Sequence, residues 1–117
     1  GPVGSAASAI PVTLADFTVT PTDLMVTGRT VAFEVVNDGP TPHNLTIRGE
    51  AGTVLGATPD LRQGERATLA LTLPTDGTYI TFCSLPGHES LGLKGTLVVA
   101  DGGAPSAAPG TSASPTP

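Results

Sequence analysis

Tryptophan is absent, cysteine and methionine occur once each, and the aromatic set is three Phe and one Tyr in 117 residues. A core with so few rings must be filled by Val, Leu and Ile. A single cysteine excludes an internal disulfide, which leaves Cys83 as a free thiol, a metal ligand or a nucleophile. Basic residues are scarce too. Five Lys and Arg stand singly against ten Asp and Glu, and the net charge of −5 argues against nucleic acid as a partner. No apolar run approaches the ~20 residues that a membrane-crossing helix requires. No segment keeps a helical period and no internal repeat is present, which removes helix bundles and repeat architectures.

Both ends differ from the middle. Gly1 to Ser5 reads as a scar left by tag removal, and residues 1–8 are expected to be disordered. Residues 102–117 hold only Gly, Ala, Pro, Ser and Thr. Such a tail cannot bury enough surface to offset its ordering entropy, and it reads as a disordered linker or stalk that could tether the domain. One domain is expected between them, over residues 9–101. A domain this small gains useful stability from a bound metal.

That domain reads as strands separated by turns. Ile10, Val12 and Leu14 alternate along a first strand running toward Phe17, which Pro21 ends. Leu24 to Val26 is a short second strand. Val31, Phe33 and Val35 point inward from a third, and a dense turn follows over Asn37 to Pro42. Leu45 and Ile47 share a face after His43. The stretch from Gly49 to Gly64 is weakly patterned, with one short strand at Thr53 to Leu55. Leu69, Leu71 and Leu73 mark another strand, Thr78 to Cys83 the next, and Lys94 to Ala100 the last. Seven or eight short strands with regular turns predict an all-β fold, an antiparallel Greek-key β-sandwich.

The chemistry-bearing residues are few. His43 follows Pro40-Thr-Pro42 and starts a strand. Cys83 ends one, and His88 lies five residues on, inside Cys83-Ser-Leu-Pro-Gly-His88. Taken singly, His43 suits a turn histidine, His88 a solvated loop residue and Cys83 a small core hydrophobe. Taken together, two strand ends and one loop could bring all three to one end of a sandwich, where a rigid scaffold can fix ligand geometry. A thiolate with two imidazoles is a donor set for copper or zinc.

The run from Tyr79 to Val99, containing Cys83-Ser-Leu-Pro-Gly-His88 and Lys94-Gly-Thr-Leu97, resembles the ligand loop of the cupredoxins, the type 1 blue copper proteins. It is most similar to the azurin and auracyanin branch. Pro42-His43-Asn44 resembles the family's first-ligand segment, and the likeness extends over about Pro11 to Ala100. The resemblance implies one copper ion bound by His43, Cys83 and His88. It implies that Asn44 braces the thiolate and joins Ser84 across the two ligand loops, and that the Pro42 carbonyl approaches the copper from one axial side. The family's axial Met is replaced by Leu93, which has no lone pair to give. A trigonal His2Cys site with an apolar cap and a high reduction potential is therefore expected. Met25 is the one alternative thioether; otherwise it reads as core filler. Thr81 stands where the family places an inward aromatic, which implies looser packing beneath Cys83.

By the same resemblance the protein is a single-electron carrier outside the cytoplasm, secreted, periplasmic or tethered to a cell surface. It is expected to be a monomer that meets transient redox partners. Pro42, Leu85, Pro86, Gly87 and Leu91 would form an apolar contact patch around His88. Enzyme readings fit poorly. The flanks of Cys83 are Phe82 and Ser84, not the histidines that feed a trinuclear copper cluster, and one cysteine cannot build a binuclear purple site. A Cys83–His88 nucleophile pair would need a substrate cleft that a sandwich loop does not offer. Two other readings stand beside electron transfer: a Cu(I) chaperone, scavenger or resistance protein, and a metal-free spacer or adhesion domain.

Overall fold

Strands dominate residues 9–100, the part of the chain that the computed structural model describes. The expected scar and disordered segment at 1–8 and the tail at 102–117 lie outside these residues. Nine strands follow in chain order: β1 (Ile10–Ala15), β2 (Thr18–Thr20), β3 (Asp23–Thr27), β4 (Thr30–Asn37), β5 (Thr46–Gly49), β6 (Val54–Ala57), β7 (Arg66–Thr72), β8 (Gly77–Phe82) and β9 (Lys94–Ala100). They form two sheets, ordered β2-β1-β4-β7 and β3-β9-β8-β5-β6. Among the described residues no helix is long and apolar enough to cross a membrane.

Alternation explains the packing. Val12 and Leu14 of β1 and Phe33 and Val35 of β4 are buried on one sheet, and Ile47, Leu97 and Val99 are buried on the other. Each such side chain contributes about 1.5–3 kcal/mol by leaving water. The same period-two rule turns Leu24 inward and Met25 outward on β3. Met25 is 78% exposed, so it is not the core filler expected from composition.

The sandwich forms as expected, but its sheets are mixed and not wholly antiparallel. β1 runs parallel to β4, with Ile10 opposite Phe33, and β3 runs parallel to β9, with Leu24 opposite Leu97. Between β1 and β4 the chain visits the opposite sheet as β3. The tight-hairpin constraint that imposes antiparallel pairing therefore does not act on either pair.

The strand count exceeds seven or eight because the expected first strand folds back on itself. Ala15 lies opposite Thr18, so Asp16 and Phe17 form a two-residue hairpin tip. Phe17 adopts φ 65°, a left-handed conformation uncommon for a bulky side chain. Two close approaches hold this tip. A Cβ on Gly39 would stand 2.7 Å from the Asp16 nitrogen, and a Cβ on Gly92 would stand 2.8 Å from the Phe17 carbonyl oxygen. Glycine at both places lets the hairpin press against the loops that precede His43 and follow His88.

Candidate metal centre

His43 sits at the end of a turn that backbone bonds fix on both sides. Its N–H donates to the Leu61 carbonyl at 3.1 Å, and Leu61 N–H donates back at 2.7 Å. Asn37, wholly buried at the end of β4, secures the same turn. Its amide donates to the Thr41 and Leu61 carbonyls at 2.8 and 2.7 Å, and its Oδ1 accepts from Gly39 N–H at 3.0 Å. The imidazole of His43 is thereby held in a fully buried place.

Cys83 follows directly on β8, and its N–H donates to the Leu93 carbonyl at 3.2 Å. This bond closes the base of the loop that carries His88. Within the loop, His88 N–H donates to the Leu85 carbonyl at 3.1 Å, and Leu93 N–H donates to the His88 carbonyl at 3.1 Å. Outside it, Arg48 grips Glu89 through two bonds of 2.9 and 2.6 Å, while the Arg48 guanidinium lies 4.3 Å from the centre of the Phe82 ring. The hydrogen bond with Arg48 holds the Glu89 carboxyl below its usual range, and the same bond raises Arg48.

Three donor atoms converge between these loops. His43 Nδ1 and His88 Nδ1 are 3.1 Å apart, and Cys83 Sγ lies 3.5 Å from His88 Nδ1. One possible ligand atom from each residue falls within 4.8 Å of the others. Metal–nitrogen and metal–sulfur bonds of about 2.0 and 2.3 Å place donors around one trigonal ion roughly 3.5–4 Å apart. The two separations from His88 Nδ1, 3.1 and 3.5 Å, and the 4.8 Å limit on the whole set are of the size that a single small ion requires. Cys83 and His43 are buried, and His88 is half-buried.

Of the neighbours expected from sequence, Asn44 and Ser84 bond across the two ligand loops. Asn44 N–H points at Cys83 Sγ at 3.5 Å. The Asn44 amide donates to Ser84 Oγ at 3.0 Å, and its Oδ1 accepts from Ser84 N–H at 3.1 Å, which links the two loops. Leu93 is fully buried at the loop's end. Pro42, Pro86 and Gly87 are exposed, as is Leu91 at 62%, whereas Leu85 packs partly against the core. Thr81 is wholly buried two residues before Cys83, and its hydroxyl has no partner among the described residues.

Met25 is far from the cluster. Its register runs Met25 to Val98 to Thr78, five residues along β8 from Cys83, or about 17 Å at strand spacing. An axial role for its thioether is therefore not possible in this fold.

Two residues of the centre were not singled out from sequence. The hairpin tip places Asp16 Oδ1 3.0 Å from His43 Nε2, the ring nitrogen that faces away from the cluster. Thr41 donates its N–H to Asp16 Oδ1 at 3.3 Å and its hydroxyl to Oδ2 at 3.2 Å. Partial burial pushes the Asp16 carboxyl up, but the bonds from His43 and Thr41 outweigh it and hold the group below its ordinary value. The Phe17 ring stands edge-on to both imidazoles, with centroids 6.3 Å from His43 and 5.4 Å from His88. Asp-Phe is not a hairpin signature, so the reversal after Ala15 carries no turn residue of the usual kind, although the apolar alternation stops at Leu14.

Known proteins resemble this chain in sequence and share its fold. Auracyanin-B of Chloroflexus aurantiacus is 44% identical over 39 residues, which span 33% of this chain and 17% of that protein. The reduced auracyanin of Roseiflexus castenholzii superposes with a TM-score of 0.71 at 26% identity, covering 82% of this chain and 99% of that one. An azurin of Methylomonas sp. strain J shares the fold with a TM-score of 0.68 at 23% identity, over 81% of this chain and 99% of its own. Residues 4–99 match the sequence profile of the cupredoxin-like domain. With a sandwich of this topology and a His-Cys-His cluster that fits a type 1 site, the chain belongs to the cupredoxin family.

Proposed function

We propose that the protein is a single-electron carrier in which His43, Cys83 and His88 hold one copper ion through Nδ1, Sγ and Nδ1. The observation that carries this reading is the convergence of those three atoms in a buried pole of a cupredoxin fold. Bound there, copper would supply a Cu(I)/Cu(II) couple, for which an imidazole–thiolate set is suited. The protein's part is to keep the donors still. The Asn37 and Leu61 bonds fix His43, the Asn44–Ser84 bridge fixes the two loops against each other, and Asn44 N–H steadies the thiolate. A site that barely moves between oxidation states keeps the barrier to electron transfer low.

Leu93 is assigned the axial position. A hydrocarbon there gives no donor to Cu(II), so the reduction potential is expected to exceed that of a methionine-capped site. His88, half-buried beside exposed Pro86, Gly87 and Leu91, is the exit for the electron. A small apolar rim of this kind suits brief encounters between redox proteins. The proposal places the protein outside the cytoplasm, where cellular thiols do not compete for the copper. It assigns transfer of electrons, not turnover of a substrate.

The buried, donor-free Leu93 also favours a second reading, a Cu(I) handler that releases its ion to a partner. Titration with Cu(II), followed by visible absorption and electron paramagnetic resonance, separates the two. The carrier gives an intense thiolate-to-copper band at one equivalent and reversible one-electron voltammetry. A colourless protein that takes Cu(I) and refuses Cu(II) would support the handler, and a protein that binds neither would refute both.

A further inference from the structure

We propose that Asp16, at the tip of the β1–β2 hairpin, is a positioning residue for His43: its carboxylate fixes the imidazole tautomer and lowers the copper reduction potential. The inference rests on the ligand assignment above. Its basis is the 3.0 Å contact between Asp16 Oδ1 and His43 Nε2. An ionised carboxylate can only accept, so the hydrogen in that contact belongs to Nε2. A neutral imidazole with hydrogen on Nε2 has its lone pair on Nδ1, the atom that faces Cys83 and His88. Asp16 thus selects the tautomer that can ligate before any ion arrives.

The carboxylate is built into its place. Oδ1 also accepts from Thr41 N–H, and Oδ2 accepts from the Thr41 hydroxyl, so both oxygens are engaged. A Cβ on Gly39 would stand 2.8 Å from Oδ1, so the space beside the carboxylate depends on glycine at that position. The Asp16 side chain is 34% exposed and its partner His43 is not exposed at all. The carboxylate therefore stands at the border of solvent and reaches a ring that is itself withdrawn from water.

The electrostatic consequence follows. A carboxylate bonded to Nε2–H makes the ligating nitrogen more basic and sets a negative charge near the metal position. Both effects favour the more highly charged Cu(II) over Cu(I). Asp16 and Leu93 therefore pull in opposite directions, the carboxylate lowering the potential and the apolar cap raising it.

Asp16→Asn tests the charge, because the amide oxygen can still accept from Nε2–H. Copper-loaded Asp16→Asn should keep the visible band and resonance pattern of the parent. Its ratio of Cu(II) to Cu(I) affinity should fall about tenfold, which raises a one-electron potential by ~59 mV. Thr41→Val, which keeps the carboxylate and loses one bond to it, should shift the potential less. An unchanged or lowered potential in Asp16→Asn would overturn the inference. Long-range proton–nitrogen correlation spectra of the copper-free protein give a second readout that needs no metal. They should show His43 with hydrogen on Nε2 in the parent and a mixture of tautomers in Asp16→Leu. Hydrogen on Nδ1 of His43 in the parent would overturn the inference by itself. A parent that binds no copper would instead overturn the ligand assignment, so the two failures are distinguishable.

Discussion

The two histidines of the centre are held in opposite ways. His43 is fully buried, tied to Leu61 by two backbone bonds and to Asp16 through its outer nitrogen. His88 is half-buried in a loop of turns that is pinned from outside by Arg48 and Glu89. The first belongs to the sandwich and the second to its rim. A carrier gains from that division, because one ligand must fix the geometry while the other brings the ion within reach of a partner.

The largest expected effect separates the two ligands in the copper-free protein. His43→Ala should lower unfolding free energy by about 2–4 kcal/mol, since it leaves a buried gap and strips Asp16 of a partner. His88→Ala should cost below about 1 kcal/mol, although both variants should lose the copper chromophore. Urea unfolding of the two proteins measures this, and equal costs would erase the proposed contrast. A smaller effect is expected at the pin. Arg48→Ala removes two bonds to Glu89 and the contact over Phe82, with an expected loss of about 1 kcal/mol. Amide hydrogen exchange should accelerate over residues 84–93 and stay unchanged in β1 and β4. Uniform acceleration would mean that Arg48 supports the whole fold. The smallest effect belongs to Met25, where Met25→Ala should stay within about 0.5 kcal/mol and leave the visible spectrum intact. A changed spectrum would contradict the placement of Met25 far from the centre.

These contrasts also mark what the sequence revealed. The inward faces of β1 and β4 were legible because Val12, Leu14, Phe33 and Val35 obey a period of two. The pairing of Cys83 with His88 was legible because only four residues, Ser84 to Gly87, separate strand end and loop. Strand direction was not. Alternation records which face is buried and is silent on whether a neighbour runs parallel, so the β1–β4 and β3–β9 pairings had to come from the fold. Asp16 escaped notice for a related reason. It stands just past the alternating run of Ile10, Val12 and Leu14, and its role depends on a reversal at Phe17 and on room left by Gly39, neither of which a linear pattern encodes. Met25 was misjudged from residue type, because a lone methionine reads as core until its neighbours Leu24 and Val26 claim the inner face.

The account turns on which atoms would surround the ion, and X-ray absorption at the copper edge reads that shell directly. Protein loaded with one equivalent of Cu(II) should show one short sulfur and two imidazole nitrogens, with no second sulfur. A shell without sulfur would contradict Cys83 as ligand, and a second sulfur would contradict the apolar cap assigned to Leu93.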